Sequence, residues 1–317
     1  MDNRLKNAPT QQVNKNRVFV HEHTLKKMAT ISAVSVAIIL IVTKFIAWYV
    51  SDSVSVLSSL MDSCVDMLAS FVNLIAVYHA MKPADTDHRF GHGKVEAIAA
   101  MGQSMFIFGS ALYILWEASE RFMNPQPLKQ PHIAMVVTVF AIVITLVLVR
   151  IQKYTIRRTK SLAIQADMVH YQSDLYLNFG VLVTLFLTSY FNLPYLDPVF
   201  GLFVGGYIIR TAYKIMKEAF FILMDRELPQ EKRQKIIQII MENPKVKGYH
   251  LLRTRSSGHG EFIQCHIEMK GDISLNEAHK IATQVEEALY KEFPKADITL
   301  HQDPIEIKEE HREKFKE

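Results

Sequence analysis

Six stretches of mostly apolar residues run through the first two thirds of the chain, at 28–50, 54–81, 97–119, 132–150, 170–192 and 196–219. Each is about the 20 residues that a helix needs to cross a bilayer. The first, MATISAVSVAIILIVTKFIAWYV, and the fourth, HIAMVVTVFAIVITLVLVR, are the clearest. The second, third, fifth and sixth carry more polar residues, which predicts that they face one another. From about Arg226 the pattern changes. QEKRQKIIQIIMEN sets isoleucines in a charged surround, as an amphipathic helix does. HLLRTRSSG and EFIQCHIEMK read as two strands joined by a turn containing Gly258 and Gly260. SLNEAHKIATQVEEALYKEF reads as a helix capped by Ser274, with Glu277 as its capping-box partner. ADITLHQDP reads as a third strand. The expected fold is an α-helical membrane protein with six transmembrane helices, followed by a small two-layer α+β domain of order α-β-β-α-β.

Composition alone changes little: of 317 residues, 49% are hydrophobic and 21% charged. The distribution of basic residues says more. Arg4, Lys6, Lys15, Arg17, Lys26 and Lys27 precede or open the first stretch. Lys82, Arg89 and Lys94 follow the second, and Lys153, Arg157, Arg158 and Lys160 follow the fourth. The connections on the other side are poor in them: none at 51–53 or 190–195, and only Arg121 and Lys129 in the third. The positive-inside rule then puts both termini in the cytoplasm. Residues 1–27 hold no apolar core of a cleavable signal, so the first span is expected to direct insertion. The expected organisation is a cytoplasmic segment (1–27), a transmembrane domain (28–225), a cytoplasmic domain (226–306) and a charged tail (307–317). Cys64 and Cys265 fall in different regions and suggest no disulfide framework.

Two acids sit inside the second apolar stretch. A carboxylate at the centre of a membrane helix costs about 2.5–3.5 kcal/mol on insertion scales. Asp62 and Asp66 are four residues apart and share one helix face. Cys64 falls on the opposite face and reads as packing. The fifth stretch repeats the device with His170 and Asp174, and Asp167 lies one turn earlier. Packed together, the two helices would offer three carboxylates and one imidazole, a set that suits a tetrahedral Zn²⁺-type ion. Fe²⁺, Cd²⁺ or Co²⁺ would also be accepted. The alternative is a buried polar network that locks the helices. In the loop DTDHRFGH, Asp85, His88 and His92 read either as a metal set or as a solvated loop. On the last two strands, His266 and Cys265 must point to opposite faces, while His301 and Asp303 share one.

LMDSCVDMLAS, DHRFGHGKVEA, ADMVHYQSDLYLN, LMDRELP and HQDP together resemble the cation diffusion facilitators, in particular their bacterial ferrous-iron and zinc efflux branch. The resemblance covers about residues 28–305. It implies a homodimer of six-helix protomers in the cell inner membrane, each with a cytoplasmic ferredoxin-like domain. It implies export of divalent metal in exchange for protons by alternating access. It places the transport site on Asp62, Asp66, His170 and Asp174, and a second site on Asp85, His88 and His92. A pair of metals near the dimer interface falls on His250, His266, His279, His301 and Asp303. An ion pair between protomers falls on Lys94 and Asp225. Zn²⁺ is the expected substrate and the expected structural or regulatory ion of the tail, with Fe²⁺ or Cd²⁺ as further substrates.

GHGKVEA lacks the G-x-x-x-x-G-K-[ST] spacing of a nucleotide-binding loop, so the energy is expected to come from an ion gradient. The expected protein is a secondary antiporter rather than an enzyme, with the lipid bilayer, metal ions and protons as partners and no nucleic acid. The alternative from another class is a membrane-anchored metal sensor that uses the cytoplasmic histidines without transport. His21, His23, His79, His132, His259 and His311 read as ordinary surface histidines.

Overall fold

Six long helices occupy the apolar stretches: α1 (Ala8–Ser51), α2 (Val54–Ala80), α3 (Lys94–Met123), α4 (His132–Thr159), α5 (Leu162–Phe191) and α6 (Leu196–Leu223). They belong to a computed structural model that describes residues 8–51, 54–124, 132–191, 195–258 and 260–305. Arg4, Lys6, residues 52–53, Lys129, residues 192–194, His259 and the tail 307–317 with His311 lie outside the described residues. Among the described residues, parts of α1, α2, α3, α4 and α6 are long and apolar enough to cross a membrane. The remaining helix, α5, has 30 residues and carries Asp167, His170 and Asp174.

Two boundaries differ from those expected. α1 begins at Ala8, twenty residues before the apolar stretch, because the polar residues that precede it simply continue the helix. α4 runs on to Thr159 and α5 starts at Leu162, so the expected fourth-to-fifth loop shrinks to a tight turn. Lys160 makes that turn with φ 55°, a left-handed conformation uncommon for a residue with a Cβ. Ser161 then caps α5, accepting from the Ile164 N–H and donating to Glu96 Oε2 at 2.7 Å. His170 therefore sits more than two turns inside α5 rather than at its start. Hydropathy missed these turns because Gln165, Asp167 and their neighbours are polar residues facing protein, not lipid.

The helical unit spans Arg17–Phe220. Small residues line its interior: Ala29, Ala33, Ala97, Ala100, Ala111, Ala163, Ala166 and Ala212 are almost fully buried. Small side chains let helix backbones approach closely, as membrane helices require. At Gly180 of α5 a Cβ would run into the Phe200 ring of α6, so a larger residue there would force that ring to move. Large apolar side chains such as Ile46, Val72, Trp116, Val143 and Phe203 point outward, where lipid is their proper solvent.

A second compact unit takes the chain from Phe221 onward. α7 (Gln230–Met241), β1 (Gly248–Ser256), β2 (Glu261–Met269), α8 (Leu275–Glu292) and β3 (Asp297–Pro304) reproduce the expected α-β-β-α-β order. The sheet order is β1-β2-β3, with β1 antiparallel and β3 parallel to β2. Ile236, Ile240, Ile263, Cys265, Ile267, Val285 and Leu289 form the core between the sheet and its helices. Ser274 accepts from the Glu277 N–H, as its capping role requires. The alternation along β2 puts Cys265 in this core and His266 on the opposite face. Burial pushes the Cys265 thiol up to about 12, which leaves it an inert packing group.

Candidate metal sites

α2 and α5 run antiparallel and meet through polar groups at successive turns. Asp66 faces His170, Ser70 faces Asp167 and Tyr171, and Asn73 donates to the Ala163 carbonyl at 3.3 Å. This ladder fixes the register in which the two acid-bearing faces oppose each other. At its upper rung, His170 Nε2 lies 2.9 Å from Asp66 Oδ1 and 3.9 Å from Asp174 Oδ2. One ligand atom from each of Asp66, His170 and Asp174 lies within 4.8 Å of the others. Ligand atoms around a tetrahedral zinc are about 3.3 Å apart, so the spacing is of the right size for an ion. The side chains keep 10% (His170), 21% (Asp66) and 36% (Asp174) exposure, so the triad is not sealed.

Asp62 is not brought into this triad. It lies one turn along α2 with an exposed side chain. Asp167 takes a different part from the triad it neighbours. Its carboxylate is buried and accepts from Ser70 Oγ at 3.2 Å, Gln103 Nε2 at 3.1 Å and Gln152 Nε2 at 2.7 Å. Those donors come from α2, α3 and α4, so one acid ties four helices together. A buried carboxylate needs such donors to replace the water it has lost. The helix-locking network considered for all these acids is thus realised one turn from the triad, by Asp167. Sequence reading missed Gln103 and Gln152 because lone amides in apolar stretches carry no spacing signal. A second buried cluster, also unforeseen, joins Lys26 of α1 to Glu96 of α3 at 2.6 Å, with Ser161 on the other carboxylate oxygen.

Between α2 and α3, Asp85, His88 and His92 form a second cluster of ligand atoms. His88 Nδ1 and His92 Nε2 lie 3.4 and 3.3 Å from the Asp85 oxygens. Asp85 Oδ1 also accepts from the backbone N–H groups of His88 and Asp87. The His88 N–H is the main reason that its carboxyl sits below the usual carboxylate range. Gly91, with φ 78°, supplies the left-handed residue that turns His92 back toward Asp85.

The third cluster lies on the sheet face opposite the core. His250, His266 and His301 are register partners across β1, β2 and β3, and Gly248, Glu268 and Asp303 form the next row on the same face. Asp303 Oδ2 lies 2.8 Å from His266 Nδ1 and 3.2 Å from His250 Nε2, and its Oδ1 lies 3.2 Å from His301 Nε2. Partial burial works against the Asp303 carboxylate, but the His266 hydrogen bond and the neighbouring imidazoles outweigh it, so the group titrates below its ordinary value. Glu268 was not foreseen. It is buried, and its Oε1 lies 3.0 Å from His250 Nδ1, which leaves His250 Nε2 turned to Asp303. A carboxylate behind a histidine is the arrangement that orients metal-ligating imidazoles. Gly248 makes room for it, since a Cβ there would lie 2.2 Å from Glu268 Oε2. His279 stands apart from this cluster, exposed on α8. Asp225 accepts from Arg255 Nη1 at 3.1 Å within the same unit.

Two family models cover most of the chain: "Cation efflux transmembrane domain" matches residues 30–224 and "Cation efflux protein, cytoplasmic domain" matches 228–305. The chain belongs to the cation efflux family, the cation diffusion facilitators, and is a multi-pass membrane protein. It is 46% identical over 285 residues to the "Cation-efflux pump FieF" of Pectobacterium carotovorum, covering 90% of this chain and 95% of that one. It is 45% identical over 289 residues to the protein of the same name from Serratia proteamaculans, covering 91% and 96%. A solved structure titled "Mode of Action of a Putative Zinc Transporter CzrB (Zn form)" shares 31% identity, covering 26% of this chain and 94% of that one, with a TM-score of 0.25.

Proposed function

We propose that the protein exports divalent metal from the cytoplasm in exchange for protons, with Zn²⁺ as the first substrate and Fe²⁺ or Cd²⁺ as others. The observation that carries this is the Asp66–His170–Asp174 cluster between α2 and α5, two carboxylates and an imidazole with ligand atoms within 4.8 Å of one another. Two carboxylate oxygens and one imidazole nitrogen are a borderline-soft set that suits Zn²⁺ or Fe²⁺ better than Mg²⁺ or Ca²⁺. Asp62, one turn away on the same face of α2, is proposed as the fourth ligand.

The exchange follows from the ligand chemistry. A metal binds only ionised carboxylates and neutral imidazole, so loading releases protons and protonation releases the metal. If the site faces the cytoplasm when loading and the outside when releasing, an inward proton gradient drives the metal outward. Both termini are proposed to be cytoplasmic and the membrane to be the cell inner membrane, from the distribution of basic residues.

The cytoplasmic cluster fits a resident Zn²⁺: its imidazole nitrogens and carboxylate oxygens lie at ligand spacing, and Glu268 orients His250. His250, His266, His301 and Asp303 would hold it, with His279 as a ligand to a further ion. Such a metal would supply structural or regulatory stabilisation, in a homodimer whose protomers are also linked by Lys94 and Asp225. The loop set at Asp85, His88 and His92 is proposed as a second metal site of the transport unit. A membrane-anchored sensor would have no use for acids inside its helices. The test is metal uptake into everted membrane vesicles. Asp66→Asn should abolish uptake of Zn²⁺ and Cd²⁺, whereas full uptake by that variant would leave the triad without its proposed role.

A further inference from the structure

Lys44 is an ionisable residue of α1 inside the membrane span for which the metal triad offers no task. Its ammonium reaches α2, donating to Ser63 Oγ at 2.7 Å and to the Ser59 carbonyl at 3.0 Å. Both acceptors are neutral, and among the described residues Lys44 forms no ion pair. A lysine within a membrane span is costly, and two neutral oxygens do not cancel its charge.

Its docking point is the relevant fact. At 100° per residue, Ser59, Asp62, Ser63 and Asp66 all fall within one arc of about 100° on α2. Ser63 precedes Asp66 by three residues, about 4.5 Å of axial rise. The ammonium is therefore seated on the acid-bearing face of α2, beside Asp62 and on the N-terminal side of the Asp66–His170–Asp174 triad.

We propose that Lys44 is a fixed countercharge that holds the metal affinity of the triad low enough for release. The inference rests on the proposed reading of the triad as the transport site. With the triad empty, the ammonium offsets part of the carboxylate charge. With a divalent cation bound, the two positive charges repel, so loading is weaker than the ligand set alone would give. A transport site must bind well enough to load and weakly enough to unload. In the proposed orientation α2 starts at the outer surface, so Lys44 lies on the side from which the metal leaves.

The test uses full-length protein in detergent, titrated calorimetrically with Cd²⁺ at pH 8, where proton competition is small. The membrane site is the binding component that Asp66→Asn removes. Lys44→Gln keeps hydrogen-bond donors for Ser59 and Ser63 but loses the charge, and Lys44→Met provides a second neutral variant. Lys44→Arg keeps the charge. Removing a unit charge about one helix turn from a divalent ion should tighten that component about tenfold or more in either neutral variant. Lys44→Arg should stay within about threefold of the parent, because the charge that sets the affinity is kept. In proteoliposomes Lys44→Gln should lower both KM and the maximal rate, the mark of slow release. Wild-type affinity in folded Lys44→Gln or Lys44→Met, or tightening in Lys44→Arg equal to theirs, would overturn the proposal. If Asp66→Asn removes no component, the triad itself is misassigned and the countercharge falls with it.

Discussion

His170 Nε2 on α5 lies 2.9 Å from Asp66 Oδ1 on α2. This contact joins two helices of the transmembrane unit through ionisable side chains, which are costly in such helices unless they serve a purpose. It is the meeting point of the triad, and Asp174 completes it from the next turn of α5. Replacing any of Asp66, His170, Asp174 or Asp62 should therefore weaken Zn²⁺ transport by about 100-fold or more, beyond the 10–100-fold typical of groups that merely orient ligands. Initial rates in vesicles check this. An Asp62→Asn protein with wild-type rates would reduce the protein's share of the site to the three residues that meet.

Asp167 should matter for stability rather than for metal. Asp167→Ala leaves the Ser70, Gln103 and Gln152 donors facing a cavity. Each unsatisfied buried group costs about 1–3 kcal/mol, so the helical unit should unfold several degrees earlier. Thermal unfolding in detergent reads this directly, and an unchanged midpoint would show that the network does not hold the four helices together.

In the cytoplasmic unit, Glu268→Gln keeps the shape behind His250 but removes the charge that orients it. Tail Zn²⁺ affinity should fall about 10–100-fold while transport through the membrane triad persists. Calorimetry on the full-length protein, with parallel flux assays, separates the two. Equal loss of transport would mean that the tail metal is part of the transport cycle.

Asp303 adds an acid dependence. Its carboxyl is held below the ordinary value of 3.8, so its ionised form is favoured by the folded domain. That contribution is fully present above the unfolded-state value and is lost as pH falls through the lower folded-state value. Asp303→Asn should remove this part of the acid sensitivity, read as a shallower loss of hydrogen-exchange protection in β3 below pH 4. An identical acid profile would show that the surrounding imidazoles do not stabilise the carboxylate.

Much of this arrangement is legible in the sequence because it follows from period and spacing. Four-residue spacing put His170 and Asp174 on one face, and strand alternation put Cys265 and His266 on opposite faces and His301 with Asp303 on one; the same spacing grouped Asp62 with Asp66, but only Asp66 meets His170. What stayed hidden depends on contacts between distant segments. Gln103 and Gln152 are unremarkable until Asp167 is placed between them. Glu268 carries no spacing signal in the sequence until the register sets it behind His250 and beside Gly248. The extra residue in β1 between His250 and Arg253, with Leu251 at φ 48°, breaks the alternation that a sequence reading assumes. Hydropathy also clipped α5, since its first turns bury polar residues against protein.

The most direct test of the central claim is Zn²⁺ flux in proteoliposomes holding the purified protein, with a pH difference imposed across the membrane. The account predicts that Zn²⁺ moves toward the acidic side, that protons move the opposite way, and that collapsing the gradient stops accumulation. Asp66→Asn should show neither flux. Zn²⁺ movement that ignores the pH gradient, or that persists in Asp66→Asn, would contradict it.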